Sequence, residues 1–224
     1  FLISQAKDVL HGSGIFWTHS WIKGFLAGST AQNPAELTSV PKNISYNTAF
    51  SGDMQIALRL DALSLAFTLL ALIIGAIVFI YSTRYLHRGT KIMSFYLLMT
   101  TFMVAVVVLF LADDVVLLFI GWELVSLASF FLIARAGSSG EAGSIRTLLL
   151  TFTGGLFLVA ALAIMVATTG TMSVTEIIAS PKWEEEPVRI GLVAILIALS
   201  AFSKAAQIPF HFWLPEAMAA DTPV

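Results

Sequence analysis

The chain has 224 residues, 58% hydrophobic and 12% charged, with a mean hydropathy of +0.88. A soluble domain carries about 25% charged residues, so the composition is that of a bilayer protein. Net charge is −2 and cysteine is absent, which leaves no overall field to attract nucleic acid and excludes disulfides, thiolate-held clusters and a cysteine nucleophile.

The chain opens on Phe1 rather than Met and stops at Val224, and no signal-peptide pattern precedes the first apolar run. Both ends read as those of an internal piece of a longer membrane protein. Phe1 to Ile3 reads as the end of a preceding helix. Ile15 to Ala27 is apolar and aromatic but carries His19 and Lys23, and it is too short to span. Trp17 and Trp21 suit the headgroup level, so an interfacial position is expected. Residues 28–51 turn polar, with Pro34 and Pro41, and read as an aqueous loop. Residues 1–53 are thus expected to form an interfacial segment and an extracytoplasmic loop.

Residues 54–224 carry the membrane part. Apolar runs cover Ala62–Tyr81, Ile92–Ala112, Val115–Ala134 (interrupted by Glu123), Thr147–Ala167, and a fifth from near Ile190 through Lys204 to a break at Pro209. A helix needs about 20 apolar residues to cross the hydrocarbon, so the expected fold is all-α and polytopic, with the fifth span broken at Pro209. Arg84, Arg88 and Lys91 follow the first run and Arg135 and Arg146 the third, which places those connections on the cytoplasmic side. Asp61 is placed to cap the first helix, and Asp113 and Asp114 to shape a short turn. Glu184 to Glu186 read as a solvated charge run. Gly154-Gly155 would permit close helix packing.

Three residues carry the candidate chemistry. Glu123 is ninth in a twenty-residue run, about 12 Å from its outer end at 1.5 Å per residue. A charge at that depth costs about 2.5–3.5 kcal/mol on insertion scales, so such an acid faces a partner, a wet cavity, or keeps its proton. Lys204 lies about 21 Å from the outer end of the fifth run. It reads either as a buried proton site or as a snorkelling lysine at a helix end. Pro209 favours burial, because apolar and aromatic residues continue past it and transporters use broken helices to build ion sites. His211, just beyond, suits proton relay through its neutral-range titration. Glu123 and Lys204 are expected to face a shared interior between the third and fifth runs, with a direct ion pair and a water-bridged pair both open.

The words around these residues resemble a known family. Asp61-Ala62-Leu63-Ser64, Gly121-Trp122-Glu123-Leu124-Val125-Ser126 and the stretch from Ser203-Lys204 through Pro209-Phe210-His211-Phe212-Trp213-Leu214-Pro215 to Met218 are similar to the proton-translocating antiporter-like family. That family is shared by the large Mrp cation/proton antiporter subunits and respiratory complex I. The form Pro-Phe-His-Phe-Trp-Leu-Pro resembles the Mrp A-type subunit more than the complex I subunit. Asp221 departs from the pattern, where a proline usually precedes Thr222-Pro223. The resemblance implies that residues 54–224 are family helices three to seven and that Glu123 and Lys204 are the pair coupling proton movement. It further implies exchange of protons for Na⁺ or K⁺, other membrane subunits as partners, a bacterial cell-membrane location and no cofactor. The alternatives are a pump module of a complex I-like oxidoreductase or membrane-bound hydrogenase, and a non-translocating scaffold. A haem subunit is rejected because only His211 lies near membrane depth.

Overall fold

The computed structural model describes residues 15–20, 55–86, 92–218 and 220. The remaining residues, and with them most of the expected interfacial segment and aqueous loop, lie outside the described ones. Five described helices are long and apolar enough to cross a membrane: α1 (Ala62–Tyr85), α2 (Ile92–Leu111), α3 (Val115–Ala134), α4 (Ser138–Thr169) and α7 (Pro187–Lys204). Between α4 and α7 lie two short helices, α5 (Val174–Ile178) and α6 (Lys182–Glu185), and α8 (Trp213–Ala217) follows the break. Apolar residues such as Ile80, Leu97 and Leu149 stay exposed on the outward faces, as lipid-facing side chains do. The chain is a multi-pass membrane protein.

Two strands add to the all-helical expectation. β1 (Ile15–Ser20) pairs antiparallel with β2 (Gln55–Leu60), Ile15 opposite Leu60. The signal was present in sequence, since Ile56, Leu58 and Leu60 alternate with Gln55, Ala57 and Arg59 at period two. Six residues are too few to stand out beside twenty-residue apolar runs.

Local chemistry explains the helix ends. Asp61 caps α1 as expected: its Oδ1 accepts from Ser64 N–H at 2.8 Å, and its own N–H donates to Ser64 Oγ at 2.8 Å. Burial works against its charge, but the hydrogen bonds from Ser64 and the positive charge of Arg59 outweigh it and hold the carboxyl below the usual range. Asp114 caps α3, accepting from Val116 N–H at 2.8 Å and Leu117 N–H at 3.1 Å. There burial prevails over those two bonds, and with the charge of Asp113 alongside it the carboxyl sits above its usual range. Gly170 ends α4 in a left-handed turn at φ +81°, its N–H donating to Val166 O. Pro187 opens α7, where its missing N–H costs nothing.

α4 begins nine residues before the apolar run that marked it, at Ser138 instead of Thr147. Its polar first turns extend beyond any hydrophobic signal. α4 packs against both α3 and α7. Val115, Leu158, Leu162 and Ile177 form a buried cluster where α3, α4 and α5 meet, and Phe95, Met99 and Leu132 form another between α2 and α3.

Asp113 does more than shape its turn. It is 5% exposed, and its carboxylate accepts from Ser173 Oγ at 3.0 Å, Thr175 N–H at 3.1 Å and Thr175 Oγ1 at 2.5 Å. Its N–H donates to Ala57 O, and its carbonyl accepts from Val174 N–H. One residue thereby ties β2, the α2–α3 turn and the start of α5. Asp113→Leu strips three donors of their acceptor, and each unpaired buried donor costs about 1–3 kcal/mol. The expected result is a loss of about 3 kcal/mol or more in detergent unfolding, with Thr175→Val losing a smaller part.

Candidate functional site

The site forms where α7 stops. The break begins earlier than Pro209: α7 ends at Lys204, Ala205 N–H still reaches Ala201 O at 2.8 Å, and Ala206 turns left-handed at φ +50°. Gln207 N–H then closes the end by donating to Phe202 O at 2.9 Å. Pro209 lies within the non-helical segment that follows, and α8 resumes at Trp213. Trp213 Nε1–H donates to Ser203 O at 3.0 Å, so the chain beyond the break satisfies a carbonyl at the helix end.

Lys204 is therefore at the end of its helix but not at the edge of the bundle. Its ammonium donates to Ser126 Oγ at 2.6 Å and to Trp122 O at 3.1 Å, and lies 5.3 Å from the Trp122 ring centre. Trp122 and Ser126 are seven and eleven residues from the start of α3 and twelve and eight from its end. At 1.5 Å per residue the ammonium sits about 10–17 Å from one end and about 12–18 Å from the other. That is mid-depth. Snorkelling to the interface does not describe it.

Glu123 follows Trp122 on α3, and its carboxyl turns toward α4. A Cβ at Gly155 would run into Glu123 Oε1, an atom that is buried without a hydrogen-bond partner among the described residues. Lys204 and Glu123 are electrostatic neighbours, yet no N–O contact within 4.0 Å joins them. The direct ion pair is not formed. α4 packs against both α3 and α7 here, and its adjacent glycines receive one partner each. Gly154 faces Ser203 on α7, and Gly155 faces Glu123 on α3. The close packing expected of these glycines is present.

These two contacts predict opposite phenotypes. A Cβ at 154 would lie 2.6 Å from Ser203 Cβ, so Gly154→Ala forces α4 and α7 apart and is expected to cost about 1–3 kcal/mol of stability. Gly155→Ala meets only the tip of a flexible side chain. It is expected to keep stability, since alanine favours the helix by up to about 1 kcal/mol, while displacing the carboxyl. Thermal unfolding in detergent and a density map of each variant check the pair.

His211 lies in the break with Nδ1 buried and unpartnered among the described residues, its ring centre 4.1 Å from that of Phe212. No hydrogen bond joins it to Glu123 or Lys204. Sequence reasoning passed over Ser126 and the Trp122 carbonyl, the two groups that hold Lys204. A hydroxyl within an apolar run reads as bonded to its own helix, and Ser126 indeed donates to Trp122 O at 3.2 Å. Glu216 lies within the stretch that carries the resemblance, but its partner is not visible in the sequence. It pairs with Arg146 of α4, and Gly143 packs on its backbone, holding α8 against α4.

A family model described as "NADH:quinone oxidoreductase/Mrp antiporter, TM" matches residues 112–224. The chain belongs to that family. A second, described as "NADH-Ubiquinone oxidoreductase (complex I), chain 5 N-terminus", matches residues 48–96. Among relatives of this Mrp antiporter/oxidoreductase family, a Staphylococcus aureus protein named as an antiporter subunit, mnhA2, is 38% identical over 196 residues, covering 86% of this chain. The chain spans 24% of that relative's length. A chain of the solved Mrp complex from Dietzia sp. DQ12-45-1b matches with TM-score 0.74 at 49% identity, over 76% of this chain and 19% of its own. A chain of the membrane-bound sulfane sulfur reductase, an archaeal respiratory membrane complex, matches with TM-score 0.71 over 99% of this chain and 30% of its own. At 22% identity that likeness speaks to the fold alone.

Proposed function

We propose that the chain is part of a monovalent cation/proton antiporter subunit in which protons pass through Glu123 and Lys204, with His211 as relay beyond the break, in exchange for Na⁺ or K⁺. The observation that carries this reading is the ammonium of Lys204 held at mid-depth of α3, one residue along the helix from half-buried Glu123, whose Oε1 is buried without a partner among the described residues. Charged groups at that depth are expensive and are kept for ion pathways. The two groups are electrostatic neighbours without an ion pair, an arrangement in which either can change protonation without first breaking a contact to the other. The likeness to the Dietzia Mrp complex supports the antiport reading and suggests other membrane subunits as partners in a bacterial cell membrane. On the same reading residues 54–224 hold family helices three to seven, residues 1–53 are extracytoplasmic and interfacial, and Arg84, Arg135 and Arg146 mark the cytoplasmic side.

A second reading, a proton-pumping module of a redox-driven complex, is favoured by the complex I description of residues 48–96. The two separate in one assay. Inverted vesicles carrying the complete complex should release their proton gradient on addition of Na⁺ or K⁺ with no electron donor present. A gradient that responds only to electron transfer would transfer the assignment to the second reading.

A further inference from the structure

Ser126 and the Trp122 carbonyl form a seat for the Lys204 ammonium, and we infer that this seat keeps the lysine off Glu123 in the resting pair, making Ser126 a positioning residue for proton exchange. The inference rests on the antiporter reading above. Ser126 is fully buried. Its hydroxyl hydrogen is directed to Trp122 O, which leaves its lone pairs to the ammonium 2.6 Å away. An ammonium has three donors. Two are spent on Ser126 and Trp122 O, and none of the three forms an ion pair with the carboxyl lodged against Gly155. The Trp122 ring centre lies 5.3 Å from the same ammonium. The charged groups on the elements packed around Lys204 are Glu123 on α3, Glu141 and Arg146 on α4, Arg189 on its own helix, and His211 and Glu216 beyond the break. Of these, Glu123 alone stands beside the seat.

Removing the hydroxyl frees a second donor at a point where the nearest strong acceptor is that carboxylate. A charge-assisted bond to a carboxylate is roughly twice as strong as one to a neutral hydroxyl, so in Ser126→Ala the ammonium swings to Glu123 and the ion pair closes. A paired lysine keeps its proton to higher pH. Ser126→Thr keeps the oxygen and the seat.

The test uses the complete antiporter complex in inverted vesicles, with cation-driven exchange measured against pH for wild type, Ser126→Ala and Ser126→Thr. A density map of the alanine complex accompanies it. The expected result is a profile moved to higher pH by about one unit in Ser126→Ala, a shift equivalent to about 1.4 kcal/mol. The threonine variant should follow wild type, and the map should show Lys204 Nζ within ion-pair distance of Glu123. An alanine profile that is unchanged or moved to lower pH, or an ammonium still bonded to Trp122 O and apart from Glu123, would overturn the seat. So would alanine and threonine variants that lose assembly alike. Failure of the antiporter reading would look different, because wild type itself would show no cation-driven exchange while the map could still report where the ammonium lies.

Discussion

Glu123→Gln is expected to abolish cation-driven proton exchange in the assembled complex while leaving assembly intact. The amide keeps the shape of the carboxyl, so the contact against Gly155 survives, but it can neither bind nor release a proton. A positioned acid or base contributes about 100-fold to 10,000-fold where proton transfer limits the rate. Exchange should therefore fall by at least about 100-fold, to the leak of the vesicles. Stability should hold or rise, because Oε1 is buried without a partner and burying an ionised carboxylate is costly. Exchange at wild-type rates would mean that Glu123 serves packing only, the scaffold alternative.

Lys204→Ala is expected to be as severe. It removes the only cation bonded to the middle of α3 among the described residues, and with it both hydrogen bonds that link the end of α7 to that helix. Assembly should survive, because α7 is also held to α4 through Ser203, whose hydroxyl donates to Leu150 O at 2.5 Å, and through the close approach at Gly154. The double variant decides whether the two residues act as a unit. If one proton visits both, Glu123→Gln/Lys204→Ala loses no more than either single change, the non-additivity expected of coupled groups. Losses that multiply would place the two residues on separate routes.

The spans were legible because bilayer insertion demands long apolar runs, and α3 matched its run from Val115 to Ala134. Asp61 could be read as a cap because capping is local, a side chain bonding amides two or three residues on; Asp114, expected only to shape its turn, caps α3 in the same way. Asp113 could not be read beyond its turn, since its partners Ser173 and Thr175 lie 60 and 62 residues away. For the same reason the sequence placed Lys204 near Glu123 in depth but did not reveal what holds it. That depends on Ser126, 78 residues distant, meeting it across two helices. Pro209 pointed correctly to a break, but the turn begins at Ala206, a residue type with no preference for a left-handed conformation. The first turns of α4 escaped because helices outside the hydrocarbon need no apolar face.

The central claim is that a proton binds and leaves the carboxyl of Glu123 during exchange. Infrared difference spectroscopy on the reconstituted complex observes that event directly, because a protonated carboxyl has a C=O stretch that a carboxylate lacks. On a jump from cation-free to cation-containing buffer at constant pH, wild type should show a protonated-carboxyl band that changes with the cation, shifts on deuteration and is missing from Glu123→Gln. The same band, undiminished in Glu123→Gln, would contradict the account and move the proton to another group.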